Sequence, residues 1–124
     1  MTEADQLRET IRSLREKAED GHAESMFLLA VAYAQGKGVE RNDTAAARWF
    51  LQAARKGHMR AQTSIGYLYA TGRGVKHDLV LGSVFLSRAA RDGDPLANDL
   101  LIKVRKGMSP AQLKEAEQRA REAA

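Results

Sequence analysis

The chain has 124 residues, of which 44% are hydrophobic and 29% charged, so length and composition predict one folded domain with a small core. It has no cysteine, which excludes disulfides, thiolate zinc sites and cysteine catalysis. The net charge is +4 and unevenly spread, since residues 1–20 carry six acidic and four basic side chains and residues 21–107 carry seven and thirteen.

The N-terminal segment is predicted to form an amphipathic helix. Its apolar residues recur at helical spacing in a narrow strip: Leu7, Ile11, Leu14 and Ala18. Because its start is polar and acidic, it does not resemble a signal peptide, and the chain lacks the run of about 18 apolar residues that a membrane span needs. We therefore expect a cytoplasmic protein, or a periplasmic one if an export signal has been removed.

The middle of the chain repeats itself with a period of 36 residues. When residues 22–57 are laid on residues 58–93, ten of the 36 positions are identical. The similarity is strongest between YAQGKGVERN, which starts at Tyr33, and YATGRGVKHD, which starts at Tyr69. A fixed period of this length indicates stacked structural repeats, each a single supersecondary unit.

Each repeat is predicted to contain two helices joined by a short loop. The first helix of the first unit runs from about Ala23 to Gln35, and the second carries apolar residues at helical spacing: Ala46, Trp49, Phe50, Ala53 and Ala54. Gly36 and Gly72 follow first helices and favour a left-handed turn there. Asn42 and Asp78 are predicted N-caps of the second helices.

The C-terminal segment, SPAQLKEAEQRAREAA, is predicted to be a separate helix. Ser109 is its N-cap, Pro110 its first residue, and Gln112 completes a capping box. With this segment the chain has seven predicted helices in one domain, residues 1–124. Its parts are an N-terminal capping helix (1–21), two repeats (22–57 and 58–93), a partial repeat (94–107) and a C-terminal capping helix (108–124).

The sequence offers no catalytic, metal or cofactor site. The Gly-Lys-Gly-Val and Gly-Arg-Gly-Val corners lack the Gly-Lys-Ser/Thr ending of a phosphate-binding loop, and no strand precedes them. His22 and His58 occupy equivalent positions in stacked repeats, about 10 Å apart, which is too far for one zinc ion. We therefore predict that the protein is not an enzyme and binds no cofactor.

The repeated residues resemble the Sel-1-like repeat, a relative of the tetratricopeptide repeat. The resemblance rests on the order Ala/Ser, Leu, Tyr, Gly-x-Gly-Val, Asp/Asn, Ala, Trp, Ala-Ala, Gly in two consecutive units. The second unit departs from it at Gly82 and Phe85, and the third unit lacks the glycine loop. The resemblance implies an all-α fold, a right-handed α/α solenoid of helix pairs.

By analogy with tetratricopeptide geometry, the first helices line a concave wall that grips a partner. The predicted partner-binding residues are Glu24, Phe27, Val31, Arg60, Thr63, Tyr67, Asp99 and Lys103. Phe27, Val31 and Tyr67 form an exposed apolar patch in this interpretation, with Arg60 and Lys103 as charged anchors. The alternative is that Phe27 and Val31 are covered by the first helix.

The predicted function is that of a non-catalytic adaptor or scaffold, of bacterial type, that binds another protein or peptide on this wall. An acidic or amphipathic partner suits its basic groove, and self-association through a terminal helix is a further expectation. There are two alternatives to this function. One is a nucleic-acid-binding adaptor, disfavoured because the positive charge is modest and exposed aromatic residues are few. The other is a toxin-neutralising, immunity-type protein.

Overall fold

The structure, a computed structural model, describes residues 1–122. Within them the chain forms seven α-helices and no β-strand, which confirms the predicted all-α class. The helices are α1 (Glu3–Glu19), α2 (Ala23–Gln35), α3 (Asp43–Arg55), α4 (Met59–Thr71), α5 (Leu79–Arg91), α6 (Pro95–Lys106) and α7 (Pro110–Glu122). The last two residues of the predicted capping segment, Ala123 and Ala124, lie outside the described residues. None of the helices in the described part has the length and apolar content that a bilayer crossing requires.

The helix boundaries follow from capping groups that recur at the repeat period. The side chain of Asn42 accepts a hydrogen bond from a backbone amide of α3 at 3.0 Å, and that of Asp78 accepts one from α5 at 2.9 Å. Gly36 and Gly72 each have φ of 69° and end α2 and α4 in the left-handed conformation. The predicted N-caps of α3 and α5 and the predicted glycine ends of α2 and α4 are therefore confirmed.

The core lies between helices that follow one another in the chain. α2 packs against α3 and α4 against α5, while α1 packs on α2 and α3 on α4. Ala53 and Ala54 are buried and keep the contact faces thin, and Leu29, Ile65 and Leu86 fill the space between the layers. Burying each of these larger side chains contributes about 1.5–3 kcal/mol. The stacked helix pairs form an α/α solenoid.

The two Gly-x-Gly-Val corners pack against the helix of the preceding layer. A β-carbon on Gly74 would lie 2.6 Å from the carbonyl carbon of Asp43, at the start of α3. One on Gly38 would lie 3.2 Å from the carbonyl oxygen of Leu7 in α1, and Leu7 precedes Asp43 by 36 residues. α1 is therefore placed against the first corner as α3 is against the second, and both glycines permit close packing.

The C-terminal helix α7 begins with the predicted capping box. The amide of Ser109 donates to Oε1 of Gln112 at 2.9 Å, and the amide of Gln112 donates to Oγ of Ser109 at 3.1 Å. Ala116 is buried and Leu113 half-buried, while the rest of the helix is mostly polar. Two ion pairs lie on its exposed side, each at 3.7 Å: Glu115 with Arg119, and Glu117 with Arg121.

Candidate functional site

The first helices of successive units, α2, α4 and α6, are joined by side chains at their starts. Nε2 of His58, the N-cap of α4, lies 2.6 Å from Oε2 of Glu24 in α2. The N-cap of α6, Asp94, accepts a hydrogen bond from the Thr63 hydroxyl in α4. We call the surface formed by exposed side chains of α2, α4 and α6 the first-helix face. The predicted partner-binding residues all lie on these three helices.

Phe27 is not part of an exposed patch, so this element of the prediction is wrong. Its side chain is 4% exposed. The His58 ring stacks on it with 4.7 Å between centroids, the Phe50 ring lies at 5.6 Å, and the Arg60 guanidinium sits 4.7 Å from its centroid. Phe27 is therefore covered by Phe50 of α3 and by His58 and Arg60 at the start of α4.

Thr63 is also buried, contrary to the prediction of an accessible binding residue. It occupies the register of Phe27 one unit later and is 4% exposed. Its hydroxyl donates to Asp94 and lies 3.4 Å from the Met59 carbonyl. Phe27 and Thr63 are buried for the same physical reason. Each faces the N-cap residue of the following unit, which is His58 for Phe27 and Asp94 for Thr63. Asp99, the third member of the row, is exposed.

The other predicted residues reach the surface to different degrees. Glu24, Arg60, Asp99 and Lys103 are exposed, Tyr67 is 43% exposed, and Val31 is half-buried against the core. Arg60 and Tyr67 are seven residues apart in α4, so they share one side of that helix. Leu28, 40% exposed on α2, adds apolar surface.

A small cavity opens beside Tyr67. Its volume is about 170 Å³, and its lining is largely apolar. The lining residues are Ala34, Asp43, Ala46, Phe50, Ser64, Tyr67, Leu68 and Arg73. Cofactor and drug sites usually occupy about 300–1,000 Å³, so this cavity suits one side chain of a partner instead.

An ion-pair cluster stands at the edge of this cavity. Asp43 lies 3.3 Å from Nη2 of Arg41 and 3.3 Å from Nε of Arg73. The Arg41 hydrogen bond, assisted by Arg73, lowers the pKa of the Asp43 carboxyl, while partial desolvation acts in the opposite direction. Sequence reasoning missed Asp43 and Arg73 as site residues, because it assigned the Gly-Arg-Gly corner to turn formation alone. The equivalent Lys37 in the first corner was an available signal that basic side chains recur there.

The described residues hold no group of three or more histidine, aspartate or glutamate side chains arranged for a metal ion. His58 does have a defined role at the repeat junction. Its Nδ1 accepts a hydrogen bond from the Ala61 amide at 3.1 Å, which leaves Nε2 to donate to Glu24. The imidazole is thus a helix cap and a packing group.

Comparisons with known proteins agree with this architecture. The family model of the Sel1 repeat matches residues 23–58 and 60–94. Among solved structures, c5321, a protective antigen of uropathogenic Escherichia coli with an SLR fold, is 28% identical with a TM-score of 0.89 over 93% of this chain. A Sel1 repeat protein from Oxalobacter formigenes is 30% identical with a TM-score of 0.71 over 73% of the chain. A search of curated protein sequences found no match.

A third structure shows the fold alone. Cysteine rich protein B of Helicobacter pylori is 22% identical, with a TM-score of 0.69 over 73% of this chain and 68% of its own length. The chain spans only 25% of the Escherichia coli antigen and 37% of the Oxalobacter protein. The two family matches cover more than half of the chain. The chain therefore belongs to the Sel1 repeat family, whose members are generally protein-interaction scaffolds.

Proposed function

We propose that the protein is a non-catalytic adaptor that binds a segment of another protein on its first-helix face. The observation that carries the proposal is Tyr67, an exposed aromatic residue beside an apolar cavity, with Arg60 on the same side of α4 and Arg73 at the cavity edge. Exposed tyrosine and arginine around a pocket are the composition of interaction hot spots.

The chemistry of this surface specifies the partner segment. The cavity of about 170 Å³ accepts one aliphatic or aromatic side chain. Arg60 is held over the Phe27 ring, so its guanidinium is fixed in position and free of any ion pair among residues 1–122. We expect a partner residue with a carboxylate to meet it, which favours an acidic or amphipathic segment.

The rigidity of the helices supports this mechanism. Arg60, Ser64 and Tyr67 are presented by one helix whose inner side is fixed by buried Ile65 and Leu68. A surface that is ordered before binding loses little conformational entropy when the partner arrives. Affinity is then decided by how well the partner fills the cavity and pairs with the arginine.

The test is proximity labelling and quantitative co-purification from the native cell, with wild-type chain and the double variant Arg60→Ala/Tyr67→Ala. We expect a defined partner to be recovered with the wild type and lost with the double variant. A matched control, Arg8→Ala/Arg12→Ala on exposed positions of α1, should retain it. Retention of the same partner by the Arg60/Tyr67 variant would assign binding to another face.

Binding strength at several salt concentrations then separates a protein partner from nucleic acid. Contacts to phosphates give a steep loss of affinity with salt, whereas an apolar cavity gives a shallow one. A steep dependence, together with loss of the co-purified material on nuclease treatment, would replace the proposal with a nucleic-acid adaptor.

A further inference from the structure

The C-terminal end of the solenoid departs from the repeat in its last loop, which is shorter than the glycine loops, and at one register position in α6. In the second unit the paired helices meet at Gly66 and Gly82, where a β-carbon on Gly66 would lie 3.0 Å from the Gly82 carbonyl oxygen. Ala30 occupies the register of Gly66 in the first unit and is fully buried. The third residue in this register is Ile102, which is 50% exposed. A branched side chain does not permit so close a crossing, and α7 takes α5, not α6, as its main packing partner.

Because α7 packs mainly on α5, an open groove with a volume of about 1040 Å³ remains between α5, α6 and α7. Its floor includes Ser83, Ala90 and Leu101. These residues stand 36 positions after a trio in the preceding layer: Ala47, Ala54 and Ile65. That trio belongs to one buried cluster with Phe85.

The groove lacks the aromatic side chain that the repeat supplies elsewhere. Counted from the N-caps Asn42, Asp78 and Ser109, the position of Trp49 in α3 and Phe85 in α5 is taken in α7 by Ala116. Arg121 lines the groove and is paired with Glu117 at 3.7 Å on its exposed side. Because α7 has alanine where the earlier second helices have an aromatic ring, the floor has space for a large apolar side chain from another helix, even though Leu113 of α7 packs beside Val80 and Val84.

The rim of the groove is basic. Arg91, Arg105 and Lys114 line it, are exposed, and form no ion pair with any carboxylate among residues 1–122. The one acidic lining residue, Glu117, is already paired with Arg121. An apolar floor under three unpaired cations selects for a ligand that has both apolar and acidic groups.

We propose that this groove docks an acidic amphipathic helix of a partner protein, with a large aromatic or aliphatic residue inserted over Ala90 and Leu101. The walls are helices, and the register of the repeat fits a helix that presents anchors at spacings of three, four and seven residues. Carboxylates on the flanks of that helix pair with Arg91, Arg105 and Lys114. Apart from Arg105 of α6, the residues that line this groove lie outside the first-helix face, and none of the predicted partner-binding residues is among them.

Two other occupants fit the groove less well. A second copy would have to offer a stripe of exposed large apolar residues on one helix. However, α1, α2 and α4 present one such residue each, and the two on α6, Leu96 and Ile102, are six residues apart and lie on different sides of that helix. Nucleic acid would match the basic rim, but none of the lining residues is an aromatic side chain on which a base could stack.

The test uses two fluorescein-labelled helical peptides of 16 residues in an anisotropy titration with the full chain. Both carry tryptophan at one position and leucine four and seven residues later on an alanine background; a few flanking positions are glutamate in one peptide and lysine in the other, so that like charges do not unfold the helix. We expect the glutamate peptide to bind on the order of tenfold more tightly than the lysine peptide. The variant Arg91→Glu/Lys114→Glu should reverse that preference, whereas Arg48→Glu/Arg55→Glu, on exposed positions of α3, should leave it unchanged.

A groove-filling variant, Ser87→Trp, adds a second readout. It should abolish binding of the glutamate peptide while circular dichroism and the melting temperature show a folded chain. Equal affinity for the two peptides, or a preference that survives Arg91→Glu/Lys114→Glu, would overturn the proposal. So would a concentration-dependent dimer that Ser87→Trp abolishes, or binding of a single-stranded oligonucleotide that this variant blocks.

Discussion

The imidazole of His58 stacks on the ring of Phe27, with 4.7 Å between centroids and 18° between planes. The two residues belong to consecutive repeats, so the stack joins one unit to the next. The same imidazole caps α4 through the Ala61 amide and donates to Glu24 at 2.6 Å. One side chain thus links helix initiation, packing between units and a surface carboxylate.

Replacing His58 with alanine tests this link. We expect the free energy of unfolding to fall by about 2 kcal/mol, because an N-cap, an aromatic contact and a hydrogen bond to a carboxylate are lost together. His22→Ala is the matched control, since His22 stands 36 residues earlier, makes no capping hydrogen bond and, among residues 1–122, hydrogen-bonds through its ring nitrogen only to the Ser25 hydroxyl, at 2.8 Å. Urea unfolding followed by circular dichroism should show the smaller loss for His22→Ala, and equal losses would contradict the role given to His58.

Two glycines with positive φ allow the cost of backbone strain to be separated from the cost of a steric clash. Gly57 and Gly74 both have positive φ, 88° and 76°, but a β-carbon on Gly57 would meet no atom within 4 Å, whereas one on Gly74 would collide with the Asp43 backbone. We expect Gly57→Ala to cost about 1–2 kcal/mol from conformation alone. Gly74→Ala should cost about 3 kcal/mol or more, because overpacking against backbone is added. Thermal melts that rank the two variants equally would show that the corner is not closely packed.

Much of the fold could be predicted because the same helix-capping residues recur every 36 positions in the sequence. The 36-residue shift aligns Asn42 with Asp78 and Gly36 with Gly72, and each pair has one capping role in the structure. Such local signals depend on side chains and backbone angles within a few residues. They are therefore readable without knowledge of the tertiary arrangement.

The candidate site was harder to predict because exposure depends on contacts between units. Phe27 and Thr63 lie on the outward-facing side of their helices by helical spacing alone, yet the N-caps of the following units cover them. Only Asp99, with no full repeat after it, is exposed in that row. The terminal groove was missed for a related reason, since Ile102 looks like an ordinary apolar helix residue until Gly66 and Ala30 show that its register requires a small one.

Gln62 offers a test of a buried polar group. Its side chain is 2% exposed, and its Oε1 has no hydrogen-bond partner among the described residues. Met26, at the same register in the first unit, is buried without such a cost. We expect Gln62→Met to raise the free energy of unfolding by about 1 kcal/mol, since an unsatisfied buried carbonyl is removed.

The matched control for that change is Asn98→Met, because Asn98 occupies the same register in α6 and is exposed. It should leave the melting temperature nearly unchanged. A lower melting temperature for Gln62→Met would mean that the amide is satisfied in solution by an ordered water and that methionine displaces it.

The Asp43 cluster predicts how stability depends on pH. Hydrogen bonds from Arg41, and more weakly from Arg73, lower the pKa of the Asp43 carboxyl below its ordinary 3.8. The Asp43 carboxyl therefore binds a proton less tightly in the folded state than in the unfolded state. The stabilisation is fully present above the unfolded pKa and is lost as the pH falls through the folded one.

We expect the wild-type chain to lose stability as the pH is lowered from about 5 towards 2, and Asp43→Asn to show a shallower loss over that window. At pH 7 the variant should be the less stable of the two, and the difference should shrink as Asp43 becomes protonated in the wild type. Asp92→Asn is the control, because Asp92 is exposed and forms no ion pair within residues 1–122. The stability of Asp92→Asn should depend on pH as that of the wild type does. Asp43→Asn should keep a smaller pH dependence from Asp5, whose pKa the Thr2 hydrogen bonds also lower. Urea midpoints measured at each pH decide the matter, since an Asp43→Asn profile parallel to the wild type would show that neither arginine holds this carboxylate in solution.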